Sequence, residues 1–316
     1  MARRGGGVAT ALMIALSLCV FAGSAYALYY VLTADWAPSA QDESVSPLQP
    51  KEFSEYDWDE LAEVAALIAE APSAEEGEGV AGQWGIELGD KRVISLSDGR
   101  QASLTVVGFC HDERADGSGR AGITLMTSPI SLQPMNDALT NVGGWEASAL
   151  RSWLSSEGAE LLPEELVAQV VTVSKLTNNV GSTSDASMVS STDDQLWVPS
   201  VSEVCGQVDL FASEFGDEVR SRTGYVDYTA YDAVLCAEGE QYPYFRELGV
   251  TCHDDPQHAL ELSYGGASTS WWYRSPYPLS FNAGDYYYFY QVMSTGHPTT
   301  LGSPDEPSGV VVGLCL

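Results

Sequence analysis

The sequence is poor in basic residues. It contains 14 lysines and arginines against 44 aspartates and glutamates, with four histidines, and its formal net charge is −30. Nucleic acids and anionic membrane surfaces are bound through positive charge, so this composition excludes both as partners. Hydrophobic residues make up 45% of the chain and aromatic residues 10%, which is typical of a folded domain and not of a disordered acidic tail.

Sequence signatures of the common enzyme classes are also missing. The chain has no G-x-S-x-G, H-E-x-x-H or G-x-x-x-x-G-K motif, and no G-x-G-x-x-G in a strand-turn-helix setting. A catalytic set can still assemble from distant residues, because such sets are recognised by geometry and not by their order in the chain. The sequence therefore predicts no catalytic residue and leaves open whether the protein is an enzyme.

Cysteines are few, and none has the C-x-x-C spacing of a zinc or redox site. One of the six lies in an apolar N-terminal segment, and five lie beyond it: Cys110, Cys205, Cys236, Cys252 and Cys315. An odd number leaves at least one free thiol, and the pairing of the others cannot be read from the sequence. One hypothesis pairs Cys110 with Cys315, because each ends an apolar strand.

The N-terminus determines the predicted compartment. Arg3 and Arg4 precede Val8–Leu32, a run of 25 residues without a charged side chain, which is long enough to cross a bilayer. Positive residues stay on the cytoplasmic side, so the rest of the chain is predicted to lie outside a single-pass anchor. The alternative is a signal peptide cleaved after 25–27, Ala-Tyr-Ala, which releases a secreted protein. Both interpretations predict export, and the membrane is contacted only through this segment.

Composition divides the chain into four segments. Residues 1–34 are the signal anchor or signal peptide, 35–56 an acidic tether rich in Pro and Ser, and 57–81 a short amphipathic helix and linker. The helix is predicted because Leu61, Val64, Ala65 and Ile68 recur at helical spacing. Residues 82–316 form an extracytoplasmic domain, which carries most of the negative charge.

This domain is predicted to be α+β, with a mixed, mostly antiparallel sheet and two or three helices. Ser200 and Glu203 have the spacing of a capping box at the start of a helix. Another helix is predicted from Trp145 to Leu154. Residues 178–194 are predicted to be loop, and residues 216–268 mostly loop. Strands are predicted at 91–96, 102–110, 123–127, 271–273, 286–292 and 309–316.

The densest cluster of metal-ligating side chains lies at His253, Asp254 and His258. Two imidazoles with an intervening carboxylate could hold Ca²⁺ or Zn²⁺ in a loop. The spacing matches no established zinc pattern, and Pro256 is equally typical of a polar turn. We therefore predict no cofactor, and these three residues are the candidate ligands if an ion is bound.

Two aromatic runs are candidate ligand platforms. Trp272 and Arg274 alternate on a predicted strand and would share one of its faces. Tyr286, Tyr288 and Tyr290 also alternate, and tyrosine rings offer flat apolar faces to a sugar or a peptide. The alternative for both runs is packing in the core of a β-rich domain.

Several motifs occur in the order and spacing of one family. They are Val107 to Asp112, Ile123 to Met126, Gly143 to Leu154, Glu238 to Tyr242, Trp271 to Pro276 and Gly309 to Leu316. From about Gly82 onward the chain resembles the bacterial domain-of-unknown-function family 6273. The resemblance implies no activity, and it implies a C-type-lectin-like layout. The calcium and sugar signatures of true C-type lectins are not matched, so the resemblance does not imply their calcium chemistry.

Three functions follow as hypotheses. The favoured one is a non-enzymatic extracytoplasmic module that binds an extracellular ligand, a glycan or a protein. The second is a hydrolase or modifying enzyme of the cell envelope with an unrecognised site. The third is a structural or sensory surface module without a small ligand.

Overall fold

The structure is a computed structural model that describes residues 48–220, 224–279 and 287–316. The predicted anchor at 1–34 and most of the predicted tether lie outside the described residues. Within the described ranges, no helix has both the length and the apolar character needed to span a membrane. Residues from Gln49 onward belong to one folded unit.

The first helix, α1 (Trp58–Ala69), confirms the predicted amphipathic helix. Its N-cap residue Asp57 accepts a hydrogen bond from the Glu60 backbone N–H, and the Glu60 side chain accepts one from Asp57 in return. This reciprocal capping box satisfies backbone donors that have no partner in the first turn. The side chains that the sequence placed on one face are all buried: Leu61, Val64, Ala65 and Ile68.

A second helix, α2 (Ala74–Gln83), occupies the segment that we predicted as a linker. Ser73 caps it by accepting a hydrogen bond from the Glu76 backbone N–H. Its small residues have a packing role, because a Cβ added at Gly77 would lie 2.6 Å from the Cys110 Sγ. Gly77 therefore reflects close contact between α2 and the Cys110 side chain.

One antiparallel sheet has four strands in the order β1-β2-β3-β15. These are β1 (Lys91–Ser95), β2 (Gln101–Phe109), β3 (Ile123–Thr127) and β15 (Gly313–Cys315). The C-terminal strand thus pairs with a strand from the first half of the domain. All four overlap predicted strands, which are confirmed; β2 begins one residue before its predicted start.

A second sheet has five strands in the order β13-β12-β11-β14-β4. Its strands are β4 (Leu132–Gln133), β11 (Trp271–Pro276), β12 (Phe289–Val292), β13 (Thr300–Gly302) and β14 (Ser308–Gly309). Only β11 and β14 run parallel. Every residue of the central strand β11 is buried, which is why its sequence does not alternate between polar and apolar residues.

A separate hairpin consists of β5 (Val173–Asn178) and β6 (Val189–Asp194), paired over six residues. The prediction of loop for 178–194 is wrong at β6, and the reason lies in its composition. Its sequence, VSSTDD, is polar, and half of its residues are exposed. Two further ribbons pair β7 (Glu218–Arg220) with β8 (Tyr225–Asp227), and β9 (Ser263–Tyr264) with β10 (Ala267–Ser268).

The described residues contain eight α-helices, and six of them lie within 82–316, where we predicted two or three. Most are too short for a repeating apolar pattern, which explains the difference. The remaining six are α3 (Ala149–Trp153), α4 (Glu164–Val167), α5 (Val201–Cys205), α6 (Leu210–Phe215), α7 (Thr229–Cys236) and α8 (Pro243–Glu247). The α+β class is confirmed.

The hypothesis of a Cys110–Cys315 disulfide is wrong in this structure, where both thiols are free. Cys110 follows β2 and Cys315 lies in β15, and β3 separates these two strands. Strands two positions apart lie roughly 9.5 Å from each other, beyond the Cα separation that a disulfide can bridge. The Cys110 thiol donates instead to the Ile68 carbonyl oxygen.

Replacing Gly122 with alanine should destabilise the domain. A Cβ at this position would lie 1.9 Å from the Ala65 carbonyl oxygen of α1, and backbone cannot move aside cheaply. We expect the free energy of unfolding, measured by urea denaturation, to fall by about 3 kcal/mol.

Gly79→Ala is the matched control. Gly79 is exposed in α2, and a Cβ there meets no atom within 4 Å. This variant should be more stable than the wild type by about 0.5 to 1 kcal/mol, because alanine favours the helix. Equal stability of the two variants would contradict the close packing of α1 on β3.

Candidate functional site

Five ionisable side chains meet in the interior: Asp112, Lys175, Glu203, Glu238 and Arg274. We call them the buried charge network. Asp112 follows β2, Lys175 lies on β5, Glu203 in α5 and Arg274 on β11, and Glu238 follows α7. All five are at least 95% buried.

Arg274 forms the centre of the network. Its Nη1 and Nη2 lie 2.5 Å and 2.9 Å from the two carboxylate oxygens of Glu203, so the pair is bidentate. The remaining donors bond to the Thr177 hydroxyl and to backbone carbonyl oxygens, including those of Val198 and Glu238. The planar guanidinium suits this role because it presents five donors in a fixed geometry.

Lys175 links Glu203 to Asp112. Its ammonium lies 2.5 Å from Glu203 Oε1 and donates to Asp112 Oδ1 and to the Tyr242 hydroxyl. It also lies 4.5 Å from the centre of the Trp197 ring, a cation–π contact. Burial alone would raise the pKa of Asp112, but the Lys175 ammonium outweighs it and holds that pKa well below its usual range.

Glu238 differs from the other two carboxylates because no cation bonds to it. It accepts hydrogen bonds from the Asn178 backbone N–H and from the Ser275 hydroxyl. Burial raises its pKa to about 7, since these neutral partners do not compensate for the lost hydration. Near neutral pH the network therefore holds two anions and two cations, with Glu238 partly protonated.

A capping box at the start of α5 positions Glu203 to bind Arg274. Ser200 caps α5 by accepting from the Glu203 backbone N–H, and the Glu203 carboxylate accepts from the Ser200 backbone N–H. The capping box that the sequence predicted is therefore confirmed. The Glu203 carboxylate also accepts hydrogen bonds from Arg274. One side chain therefore both caps the start of α5 and forms a buried ion pair.

We interpret the buried charge network as structural, because its side chains are buried and bonded to other protein groups. Its charged atoms have protein partners, and its members are absent from the lining of the surface clefts found in the described chain. Removing one partner from a buried ion pair leaves an uncompensated charge, which costs several kcal/mol. Sequence analysis singled out Arg274 and Glu203 but not Lys175 or Glu238. The signal that could have identified Lys175 is its position within the apolar run Val170–Leu176.

The predicted aromatic platforms are largely internal. Trp272 is 1% exposed, and its indole N–H donates to the Gln133 carbonyl oxygen. Arg274 and Tyr290 are also buried, whereas Tyr288 is half-buried. Tyr286 lies outside the described residues. In this conformation Trp272, Arg274 and Tyr290 present no surface to a glycan.

The predicted metal ligands divide between two places. His253 Nε2 lies 2.7 Å from Asp209 Oδ1, and His258 Nδ1 lies 2.7 Å from Glu261 Oε1. The Asp254 backbone N–H donates to the Thr251 hydroxyl. In the described chain, the one group of three ligating side chains within 4.8 Å of each other combines His253 with Asp209 and Cys252. No sequence spacing links Asp209 to His253, so sequence analysis missed this group.

A surface cleft of about 340 Å³ opens between α3 and the β5–β6 hairpin, and we call it the Arg151 cleft. Arg151 Nε lies 2.7 Å from Asp194 Oδ1, and Nη2 donates to the Asp193 carbonyl oxygen. Among the described residues, Arg151 Nη1 has no hydrogen-bond partner. Asp194 is held in place by the Trp145 indole N–H and the Thr192 hydroxyl, which both donate to its other oxygen.

The lining of this cleft combines polar and aliphatic groups. Hydroxyl, amide and carboxylate side chains alternate with Val, Leu and Ala side chains: Ser152, Leu154, Ser155, Ala159, Val167, Val170, Thr172, Asp193, Asp194, Gln195 and Leu196. Neither histidine nor cysteine is among them, so the cleft lacks a nucleophile activated by an adjacent imidazole.

Replacing Arg274 with lysine should destabilise the protein strongly. Lysine keeps the charge but cannot hold Glu203 bidentately or reach the surrounding carbonyl oxygens together. We expect a loss of at least about 3 kcal/mol in the free energy of unfolding. Arg246→Lys in α8, where the side chain is exposed, is the control and should stay within about 0.5 kcal/mol of the wild type.

Glu238 should make stability fall as pH rises. Its folded pKa of about 7 lies above the ordinary glutamate pKa of 4.5, so the folded state binds more protons between these values than the unfolded state. Its contribution is fully present below about pH 4.5 and is lost as pH rises through about 7, amounting to about 3 kcal/mol.

The matched variant is Glu238→Gln, which is neutral at every pH and can keep both hydrogen bonds. Urea denaturation of both proteins across this pH window isolates the contribution of Glu238, since all other groups are shared. The free-energy difference between them should change by about 3 kcal/mol. A constant difference would contradict the raised pKa.

Comparison with known proteins places the chain in a family. A search of curated proteins found no match, and a search of solved structures found none either. One family model, described as a domain of unknown function (DUF6273), matches residues 121–316, well over half of the chain. This range contains α3, the β5–β6 hairpin, β11 and the C-terminal strand. The chain therefore belongs to the DUF6273 family.

Proposed function

We propose that this protein is a non-enzymatic extracytoplasmic module that binds a glycan in the Arg151 cleft. The observation that carries the proposal is the combination of groups in this cleft. Arg151 offers a donor, Asp193 and Gln195 offer acceptors, and aliphatic side chains form the rest of the lining. A sugar hydroxyl both donates and accepts hydrogen bonds, so it needs both kinds of partner in one place.

Charge supports a neutral ligand over an anionic one. The chain carries a formal charge of −30, and a field of that sign repels carboxylated or sulfated ligands. The interior charges do not change this, because two buried cations balance two buried anions in the charge network. The ion pair of Arg151 with Asp194 likewise leaves the cleft without a net positive charge.

The proposed location outside the cell rests on the N-terminal sequence. Residues 1–34 would act as the anchor or signal peptide. The part of the 35–56 segment that precedes Gln49 would hold the domain away from the membrane, because the folded unit begins at Gln49. The C-type-lectin-like layout is part of the proposal as well. It is supported by the helix that ends at Trp153, the capped start of α5, the buried β11 strand and the C-terminal strand, which follow each other in the expected order.

A glycan array probed with the purified full chain tests the proposal. We expect selective binding to neutral glycans, and Ser155→Tyr should weaken it by at least about 10-fold, because the ring fills the cleft and leaves the Arg151–Asp194 pair intact. Ser156→Tyr is the control, since Ser156 is the next residue, is exposed and does not line the cleft.

Three outcomes would contradict this function. Absence of glycan binding by a folded wild-type chain would remove the proposed ligand class. Equal weakening by Ser155→Tyr and Ser156→Tyr would place binding outside the cleft. A protein recovered by pull-down with the wild type and lost with Ser155→Tyr would assign the cleft to a protein ligand instead.

A further inference from the structure

A compact group of ligating side chains lies at the start of α6, apart from the Arg151 cleft. Asp209 is the N-cap residue of α6, and Cys252 and His253 follow α8 in the chain. Asp209 Oδ1 lies 3.3 Å from the Cys252 Sγ and 2.7 Å from the His253 Nε2. One carboxylate oxygen, one thiol sulfur and one imidazole nitrogen are thus all within 4.8 Å of each other.

The Asp209 carboxylate is not used as a helix cap. An aspartate at the N-cap usually accepts a hydrogen bond from a backbone N–H of the first turn, but Asp209 makes no such bond. The Phe211 and Ala212 backbone N–H groups donate instead to the two oxygens of Asp232, each at 2.9 Å. Since Asp232 caps α6, the Asp209 side chain can turn toward Cys252 and His253.

This ligand set is the kind that zinc prefers. Zn²⁺ binds thiolate, imidazole and carboxylate groups in tetrahedral geometry. Ligand atoms around such an ion lie roughly 3.3 to 3.8 Å apart. The 3.3 Å between Asp209 Oδ1 and Cys252 Sγ lies at the lower end of this range, and the 2.7 Å to His253 Nε2 lies below it. A small side-chain rotation that lengthens the second distance would therefore admit the ion.

Access to the group is asymmetric. Cys252 is buried, whereas the side chains of His253 and Asp209 are 50% and 58% exposed. A surface cleft of about 530 Å³, lined by Asp209 together with Asp232 and Cys236, borders the group. An ion can therefore enter from the solvent, and a water molecule can complete its coordination.

We propose that Asp209, Cys252 and His253 form a Zn²⁺ site with three protein ligands and one water ligand. The site shares only His253 with the set predicted from the sequence. On binding, a Zn–S bond replaces the S–H bond of Cys252, and the thiol proton passes to the solvent. The hydrogen bonds from Cys252 and His253 to Asp209 are replaced by bonds from all three groups to the metal.

The test uses the full chain with Zn²⁺ and Co²⁺ as probes. Calorimetry should show one Zn²⁺ bound per chain, and Co²⁺ should produce the intense thiolate-to-cobalt charge-transfer absorption, which Zn²⁺ then displaces. Cys252→Ser should abolish this absorption. His253→Ala and Asp209→Asn should each raise the Kd for Zn²⁺ by more than the roughly 10- to 100-fold that is typical of losing an outer partner of a metal ligand.

Two control variants make the result specific. Cys236→Ser removes a thiol that lines the neighbouring cleft, and His258→Ala removes an exposed histidine paired with Glu261. Both should bind Zn²⁺ with the wild-type Kd. Circular dichroism before metal addition checks folding, and if Cys252→Ser fails to fold, His253→Ala decides the test because its side chain is half-exposed.

The proposal is overturned by any of three results. These are the absence of charge-transfer absorption with Co²⁺, wild-type affinity in a folded His253→Ala variant, or equal losses in the two control variants. Glycan binding in the Arg151 cleft involves none of these residues, so the failure of one proposal leaves the other intact.

Discussion

The ion pair between Arg274 and Glu203 holds the domain together. Arg274 lies on the central strand of the five-stranded sheet and Glu203 in α5, and Lys175 continues the chain of charges to Asp112 at the end of a strand in the four-stranded sheet. Alternating charges thus connect both sheets, the β5–β6 hairpin and a helix. Because each charge depends on its neighbour for compensation, separating any of these elements from the others would leave an unpaired ion in the interior.

The buried charge network differs from the solvent-accessible polar groups in what it can contact. The charged residues of the network are almost fully buried, and in this conformation their partners are protein groups. Among the solvent-accessible polar groups are those in the Arg151 cleft and around Asp209. Near neutral pH two cations balance two anions in the buried charge network, whereas the whole sequence has a large excess of acidic residues.

Much of the architecture was predictable where short-range patterns are strong. The strands at 91–95, 101–109 and 123–127, the helix α1 and the capping box at Ser200 all follow from residues a few positions apart. The β5–β6 hairpin was missed because its exposed second strand is as polar as a loop. The helix α2 was missed because small residues, needed for its contact with Cys110, resemble a linker.

The sequence by itself determined the acidic character, the α+β class, the capped helix starts and the family resemblance. Only the tertiary structure decided which functional groups meet. Arg274 and Glu203 are 71 residues apart, and Asp209 and His253 are 44 apart. Capping and strand alternation depend on neighbours within one or two turns of chain, so they can be read locally. Contacts between distant residues require closure of long loops around a common core, and no local pattern specifies that closure.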